Sequence, residues 1–204
     1  NRDWNRLYEH YLTWDRDFGN NTIGAMVGYS YQRFDGDRVA AFRNGFSAEG
    51  INYYDAFNFG DPDGGDNPVA TSFAYRDELQ SVFGRVNYDY ADKYLVTVSV
   101  RRDGSTKFYD NNKYATFPAV ALAWRLDQES FIQDMGVFDN LKLRLGWGLT
   151  GNQELPRNQA VQSYGQVGGT SIDGNQNYIN GLSQSTIANP DLTWETTTQY
   201  NAGI

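Results

Sequence analysis

The stretch Ser81-Val82-Phe83-Gly84-Arg85-Val86-Asn87-Tyr88-Asp89-Tyr90-Ala91-Asp92-Lys93-Tyr94-Leu95-Val96-Thr97-Val98-Ser99-Val100 decides the fold of this chain. Val82, Val86, Tyr88 and Tyr90 share one parity, and so do Tyr94, Val96, Val98 and Val100 after the short turn Ala91-Asp92-Lys93. Mostly Gly, Asn, Asp, Thr, Ser or Arg falls between them. A side-chain period of two places the apolar set on one face of a β-strand. Strands in soluble sheets average about five or six residues. These reach about ten, the length that a tilted strand needs to cross a bilayer.

Working outward, the same code recurs. Tyr8 to Asp17 forms a first candidate strand, and Gly19-Asn20-Asn21 is a hairpin-type turn. Thr22 to Phe34 alternates Ile23, Ala25, Val27, Tyr29 and Tyr31 with Gly24, Gly28, Ser30 and Gln32. An irregular stretch then runs from Asp35 to about Arg76. Leu79–Tyr90 and Tyr94–Arg102 are the third and fourth strands. Ala115–Leu126 carries Val120, Leu122, Trp124 and Leu126 against Ala119, Ala121 and Ala123. Leu141–Thr150 sets Leu141, Leu143, Leu145, Trp147 and Leu149 against Lys142, Arg144, Gly146, Gly148 and Thr150. The last strand runs from Leu192 through Trp194, Thr196, Thr198, Tyr200 and Ala202. The stretch 127–140 has room for one helical turn, and 151–191 for a small hairpin around Val161–Val167.

The sequence therefore reads as all-β: an antiparallel transmembrane β-barrel segment of about eight meandering strands with long extracellular loops. Connections alternate in length. The longest (35–76 and 151–191) and 103–114 fall on one side, and 18–21, 91–93 and 127–140 on the other. Short turns on the periplasmic side and long loops outside are the habit of outer-membrane barrels, although 127–140 is long for a periplasmic turn.

Composition agrees. Of 204 residues, 15 are Tyr, 12 Phe and 5 Trp, an aromatic content of 16% that suits membrane interfaces. Cysteine is absent, which excludes disulfides, thiol catalysis and Cys-based zinc sites. The net charge of −8 supplies no basic stripe for nucleic acid. Mean hydropathy is negative, as expected where only alternate strand residues meet lipid. The start at Asn1-Arg2-Asp3-Trp4 is not a signal peptide, and the end at Ile204 falls inside a strand pattern. Residues 1–204 thus read as part of a barrel domain.

Five stretches carry a family resemblance. They are Tyr94-Leu95-Val96-Thr97-Val98-Ser99-Val100-Arg101-Arg102-Asp103-Gly104-Ser105, Tyr114-Ala115-Thr116-Phe117-Pro118-Ala119-Val120-Ala121-Leu122-Ala123-Trp124-Arg125, Leu141 through Gln153, Ala188 through Asn201, and the weaker Gly28-Tyr29-Ser30-Tyr31-Gln32. In order and spacing they resemble the SusC/RagA-like, TonB-linked outer-membrane transporters. That resemblance implies a 22-stranded barrel with an N-terminal plug, outer-membrane location and TonB-energised import of glycan oligosaccharides or peptides. It also implies a SusD-like surface lipoprotein as lid and a TonB complex acting through the plug. The plug is absent from this sequence. No cofactor is implied and no bond is made. Ala119 and Gly146 stand where the family pattern has Ser.

Candidate chemistry is sparse. His10, the single histidine, lies in a strand pattern and reads as a wall residue rather than a triad base. No nucleophile elbow or phosphate-binding loop is present. Asp61, Asp63 and Asp66 sit on a Gly-rich loop with oxygen ligands that calcium would accept, but the spacing is not that of an EF-hand. A solvated acidic turn fits better. Tyr53, Tyr54, Tyr109, Tyr164 and Tyr178, with Phe57 and Phe59, lie on the long loops. They can stack on sugar rings or pack the loops and the lid, and packing is the favoured reading. Arg101, Arg102 and Asp103 end a strand at the rim, where they would meet anionic lipopolysaccharide or form a salt bridge of little net worth. Trp14, Trp124, Trp147 and Trp194 are expected on the lipid side as aromatic girdles. Other classes stay open on sequence: a soluble all-β surface glycan-binding module, whose apolar face a second sheet would cover, and an outer-membrane hydrolase.

Overall fold

The computed structural model describes residues 1–42, 69–155, 163–171 and 178–204. Among the described residues there are nine strands: β1 (Arg2–Phe18), β2 (Asn21–Phe42), β3 (Val69–Tyr90), β4 (Tyr94–Ser105), β5 (Tyr114–Arg125), β6 (Lys142–Asn152), β7 (Ser163–Ser171), β8 (Tyr178–Thr186) and β9 (Glu195–Gly203). Seven form one sheet in the order β1-β2-β3-β4-β5-β6-β9, and β7 pairs with β8. The pairings β3–β4, β4–β5, β5–β6, β6–β9 and β7–β8 are antiparallel. Among the described residues the only α-helix is one turn, α1 (Ser130–Gln133). The all-β reading holds.

Element ends differ from expectation. β1 starts at Arg2, not Tyr8. β2 and β3 are 22 residues each, so residues 35–42 and 69–76, expected in a loop, are strand. A hairpin is present in the 151–191 stretch, but it is larger than the one expected around Val161–Val167: β7 pairs with β8 from Ser163 to Thr186. The final strand begins at Glu195, not Leu192.

Two compact units are present. The first comprises Asn1–Arg6 and Arg33–Asp77. Within it, Asp35 accepts from Arg33 at 2.6 and 2.9 Å and from Arg76 at 2.9 Å. The Tyr75 hydroxyl donates to Asp3 at 2.9 Å, and its ring lies over Gly36, where a Cβ would collide with it.

The second unit comprises Leu7–Gln32 and Glu78–Ile204. At its 91–93 turn, Ala91 and Asp92 adopt left-handed backbone (φ 55° and 57°), the twist that tight hairpins favour. The Ala91 amide donates to the Asn20 carbonyl at 2.6 Å, tying two short turns together. The 127–140 connection folds through a 3-10 turn (Leu126–Gln128) and α1, so it is compact despite its length.

Little of the described part is core. Among the described residues the buried apolar side chains are Phe108, Phe117 and Ile132. Val86, Val98 and Val100 are each 48% exposed, and Leu122 and Leu145 nearly as much. No described helix or sheet covers Val98 or Leu145, and Val96 and Leu143 are only half-buried. The bare apolar face is the signature of a sheet whose other solvent is hydrocarbon.

Candidate functional site: a membrane wall with two aromatic rims

Strand register fixes what shares each face. On one face, Val86, Val98, Val120, Trp147 and Tyr200 lie side by side across five strands. Tyr88, Val96, Leu122, Leu145 and Ala202 form the neighbouring row. On the opposite face the corresponding rows are Arg85, Ser99, Ala119, Gly148, Gln199 and Asn87, Thr97, Ala121, Gly146, Asn201. One side is greasy and the other polar and small. This is the outward-apolar, inward-polar division of a barrel wall.

The inward face holds its own polar groups together. Thr97 donates to Asn87 at 2.9 Å. Arg101 pairs with Asp103 at 2.7 Å, donates to Ser81 at 2.8 Å and lies 5.6 Å from the Phe83 ring centre. The Phe83 ring in turn fills the space over Gly28, where a Cβ would overlap it. Arg144 pairs in register with Ala123, and Lys142 with Arg125, on this inward parity.

Aromatic residues mark both ends of the apolar band. At the short-turn end, Tyr90, Tyr94 and Trp124 stack at 6.4 and 6.0 Å. Glu129 gathers this end: it accepts from Tyr94 at 2.7 Å and Trp124 at 3.1 Å, and pairs with Lys93 at 3.3 Å. Hydrogen bonds from Tyr94, then Trp124, hold its carboxyl below the ordinary carboxylate range, with Lys93 adding to the effect. At the other end stand Tyr114, and Tyr8 with Tyr31 at 6.5 Å. Trp124 and Tyr114 share a parity on β5, ten positions apart. That is about 34 Å along the strand, or about 26 Å across a bilayer at a tilt of ~40°. The hydrocarbon band of an outer-membrane barrel is about 25 Å.

The tryptophans divide. Trp124 is a rim residue, as expected. Trp14 is half exposed on the apolar face, and Trp147 lies inside the band, in the Val98 row, rather than at its edge. Trp194 departs from the expectation. It precedes β9, so strand parity does not apply to it. It stacks on Phe108 at 5.0 Å, meets Phe117 edge-on at 5.6 Å and donates to the Lys113 carbonyl at 3.2 Å. With Asn112 donating to the Pro190 carbonyl at 3.3 Å, this clamp fastens the 106–113 loop to the entry of β9. Sequence reading missed both this clamp and the Glu129 hub.

Of the proposed contact residues, the described ones sit on different elements. Tyr109 is half exposed before the 3-10 turn Asp110–Asn112. Tyr164 on β7 is exposed and pairs in register with Gln184, whereas Tyr178 pairs with Ser171 at the other end of that hairpin. Tyr53, Tyr54, Asp61, Asp63 and Asp66 lie outside the described residues. His10 is an exposed strand residue of β1.

The fold and these rims define a transmembrane β-barrel wall. The family model "TonB dependent receptor-like, beta-barrel" matches residues 1–204, and the chain belongs to that family. It is 36% identical over 200 residues to TonB-dependent receptor P3 of Formosa agariphila, covering 98% of this chain and 19% of that protein. It is 35% identical over 205 residues to TonB-dependent receptor SusC of Bacteroides thetaiotaomicron, again 98% and 19%. The RagAB peptide transporter structure superposes with a TM-score of 0.85 at 25% identity, covering 98% of this chain and 21% of that one. The chain spans about a fifth of the length of these proteins. It is a SusC/RagA-like outer-membrane β-barrel segment.

Proposed function

We propose that residues 1–204 form part of the barrel domain of a transporter that imports glycan oligosaccharides or peptides across the outer membrane, energised through TonB. The observation that carries this reading is the two-faced sheet. One side is suited to lipid over a bilayer's thickness, and the other, polar and small, is suited to line a conduit. Similarity to SusC and to the RagAB peptide transporter supports it. A SusD-like lipoprotein on the long-loop side delivers the substrate, and the TonB complex acts through a plug elsewhere in the protein. Tyr53, Tyr54, Tyr109, Tyr164 and Tyr178 supply aromatic surfaces to substrate or lid.

The test is deletion of the gene, followed by growth on single glycans and on peptides as sole nutrients. Loss of growth on one class, with a surface lipoprotein co-purifying with the tagged full-length protein, is the expected result. Undiminished growth on every nutrient and no co-purifying lipoprotein overturn the reading.

A further inference from the structure

Along β3 to β6, the outward face carries no charge through four successive rows, from the Tyr90–Tyr94–Trp124 row to the row of Gly84, Val100 and Pro118. The next row is Val82, Arg102 and Thr116. Arg102 is the first charged side chain on that face, in a chain whose acids outnumber its bases by 25 to 17. It lies eight positions from Tyr94 on the same strand, about 27 Å along it and roughly 21 Å across the membrane at the usual tilt. That is just inside the far edge of the hydrocarbon band, from which a long arginine side chain reaches the headgroups.

Arg102 is also held in place. Its guanidinium lies 5.4 Å from the centre of the Tyr114 ring. That ring rests on Gly104, where a Cβ would collide with it, and its hydroxyl accepts from Gln80. Among the described residues no carboxylate forms an ion pair with Arg102. Its neighbour Arg101, on the opposite face, is neutralised by Asp103. Thr116, opposite Arg102 in register and exposed, puts a hydroxyl-bearing residue at the facing position of the next strand.

We propose that Arg102, with Tyr114 and Thr116, forms an outward-facing site for the phosphate of an anionic lipid in the outer leaflet. A guanidinium presents forked donors that match phosphate oxygens. The aromatic ring beneath orients the fork without consuming its charge. The hydroxyl supplies one more donor. The acyl chains of such a lipid would lie down the Val100 and Val98 rows below. The proposal rests on the membrane placement of this sheet and not on what the transporter carries.

The experiment uses the full-length protein containing this chain, in phosphatidylcholine nanodiscs, with native mass spectrometry to count bound lipid. The probes are phosphorylated lipid A, the same lipid A after phosphatase treatment, and inorganic phosphate alone. Wild type is expected to hold the phosphorylated form more tightly than the dephosphorylated one. Arg102→Gln is expected to weaken only the phosphorylated form, by about fivefold, the effect of removing one cation near the surface. Arg102→Lys should retain most of the preference, and Thr116→Val should lose part of it. Equal binding of both lipid forms by wild type, or an unchanged preference in Arg102→Gln, overturns the proposal. Competition by inorganic phosphate at equal concentration also overturns it, since it would assign the site to a soluble anion. A protein that fails to enter nanodiscs would instead defeat the membrane placement itself.

Discussion

The Tyr94 hydroxyl and the Glu129 carboxylate, 35 residues apart in sequence, meet at 2.7 Å. Trp124 donates to the same oxygen, and Lys93 pairs with the other. One carboxylate thus ties the 91–93 turn, the start of β4, the end of β5 and the 127–140 connection into a single rim.

This rim should be acid-sensitive. The folded-state carboxyl of Glu129 titrates below its ordinary value of 4.5. Its contribution is therefore fully present above the unfolded value and is lost as pH falls through the folded one. Thermal melts of the full-length protein in detergent, taken from pH 7 downward, should show a loss below about pH 4.5. Glu129→Gln should be less stable at neutral pH and show a smaller loss over that window. Equal acid sensitivity of the two proteins would remove Glu129 from the role.

The assignment of faces can be read from one strand pair. Val98→Arg should cost about 2–4 kcal/mol if Val98 meets mid-bilayer lipid. Ala121→Lys, on the inward face of the neighbouring strand, should stay within about 1 kcal/mol. Reversible unfolding in lipid vesicles measures both, and equal costs would mean that the faces are misassigned.

Gly28→Ala should destabilise by about 1–3 kcal/mol, because the new methyl group enters the space of the Phe83 ring. Adding Phe83→Leu should recover part of the loss, since a smaller side chain makes room. Urea unfolding of the single and double variants gives the coupling. No recovery would indicate that the His10 carbonyl, at 3.1 Å from the same position, sets the limit.

Trp194→Ala should cost about 2–3 kcal/mol by uncovering Phe108 and Phe117. Trp194→Phe, which keeps the stack and loses the bond to Lys113, should cost about 1 kcal/mol. Limited proteolysis supplies a local readout: the 106–113 loop should be cut faster in the alanine variant and near the wild-type rate in the phenylalanine one.

How much of this was legible in sequence follows the solvent. On β3 to β6 the outward positions carry no charge from the Tyr94 row to the Val100 row, with Arg102 the first exception, so period two stands out and strand parity follows from it. The ends of β2 and β3 are invisible to the same test. Arg33, Asp35 and Asp37 carry the parity of Val27 and Tyr29, and Arg76 that of Val82, but these positions are charged. Alternation of apolar and polar residues therefore ceases while the strand continues. Trp194 was misread because parity was carried into residues that precede β9. The Glu129 hub was illegible for another reason: its partners Lys93 and Tyr94 lie on a different hairpin, and nothing local marks the pairing. Of the candidate contact tyrosines, Tyr109 and Tyr164 are exposed, but Tyr164 and Tyr178 lie on strands rather than in open loop, and nothing local tells which of the five meets a ligand.

The bare apolar face has a consequence for how this protein can vary. A packed interior demands complementary shapes, because each side chain must fit the gap left by its neighbours. Lipid tails are fluid and mould themselves to any contour. At Val86, Val98 and Leu145, exchange among valine, isoleucine and leucine should therefore pass almost unnoticed, whereas Phe83 over Gly28 tolerates little. Drift is free on the outside of this wall and tightly held within it, the reverse of a globular protein.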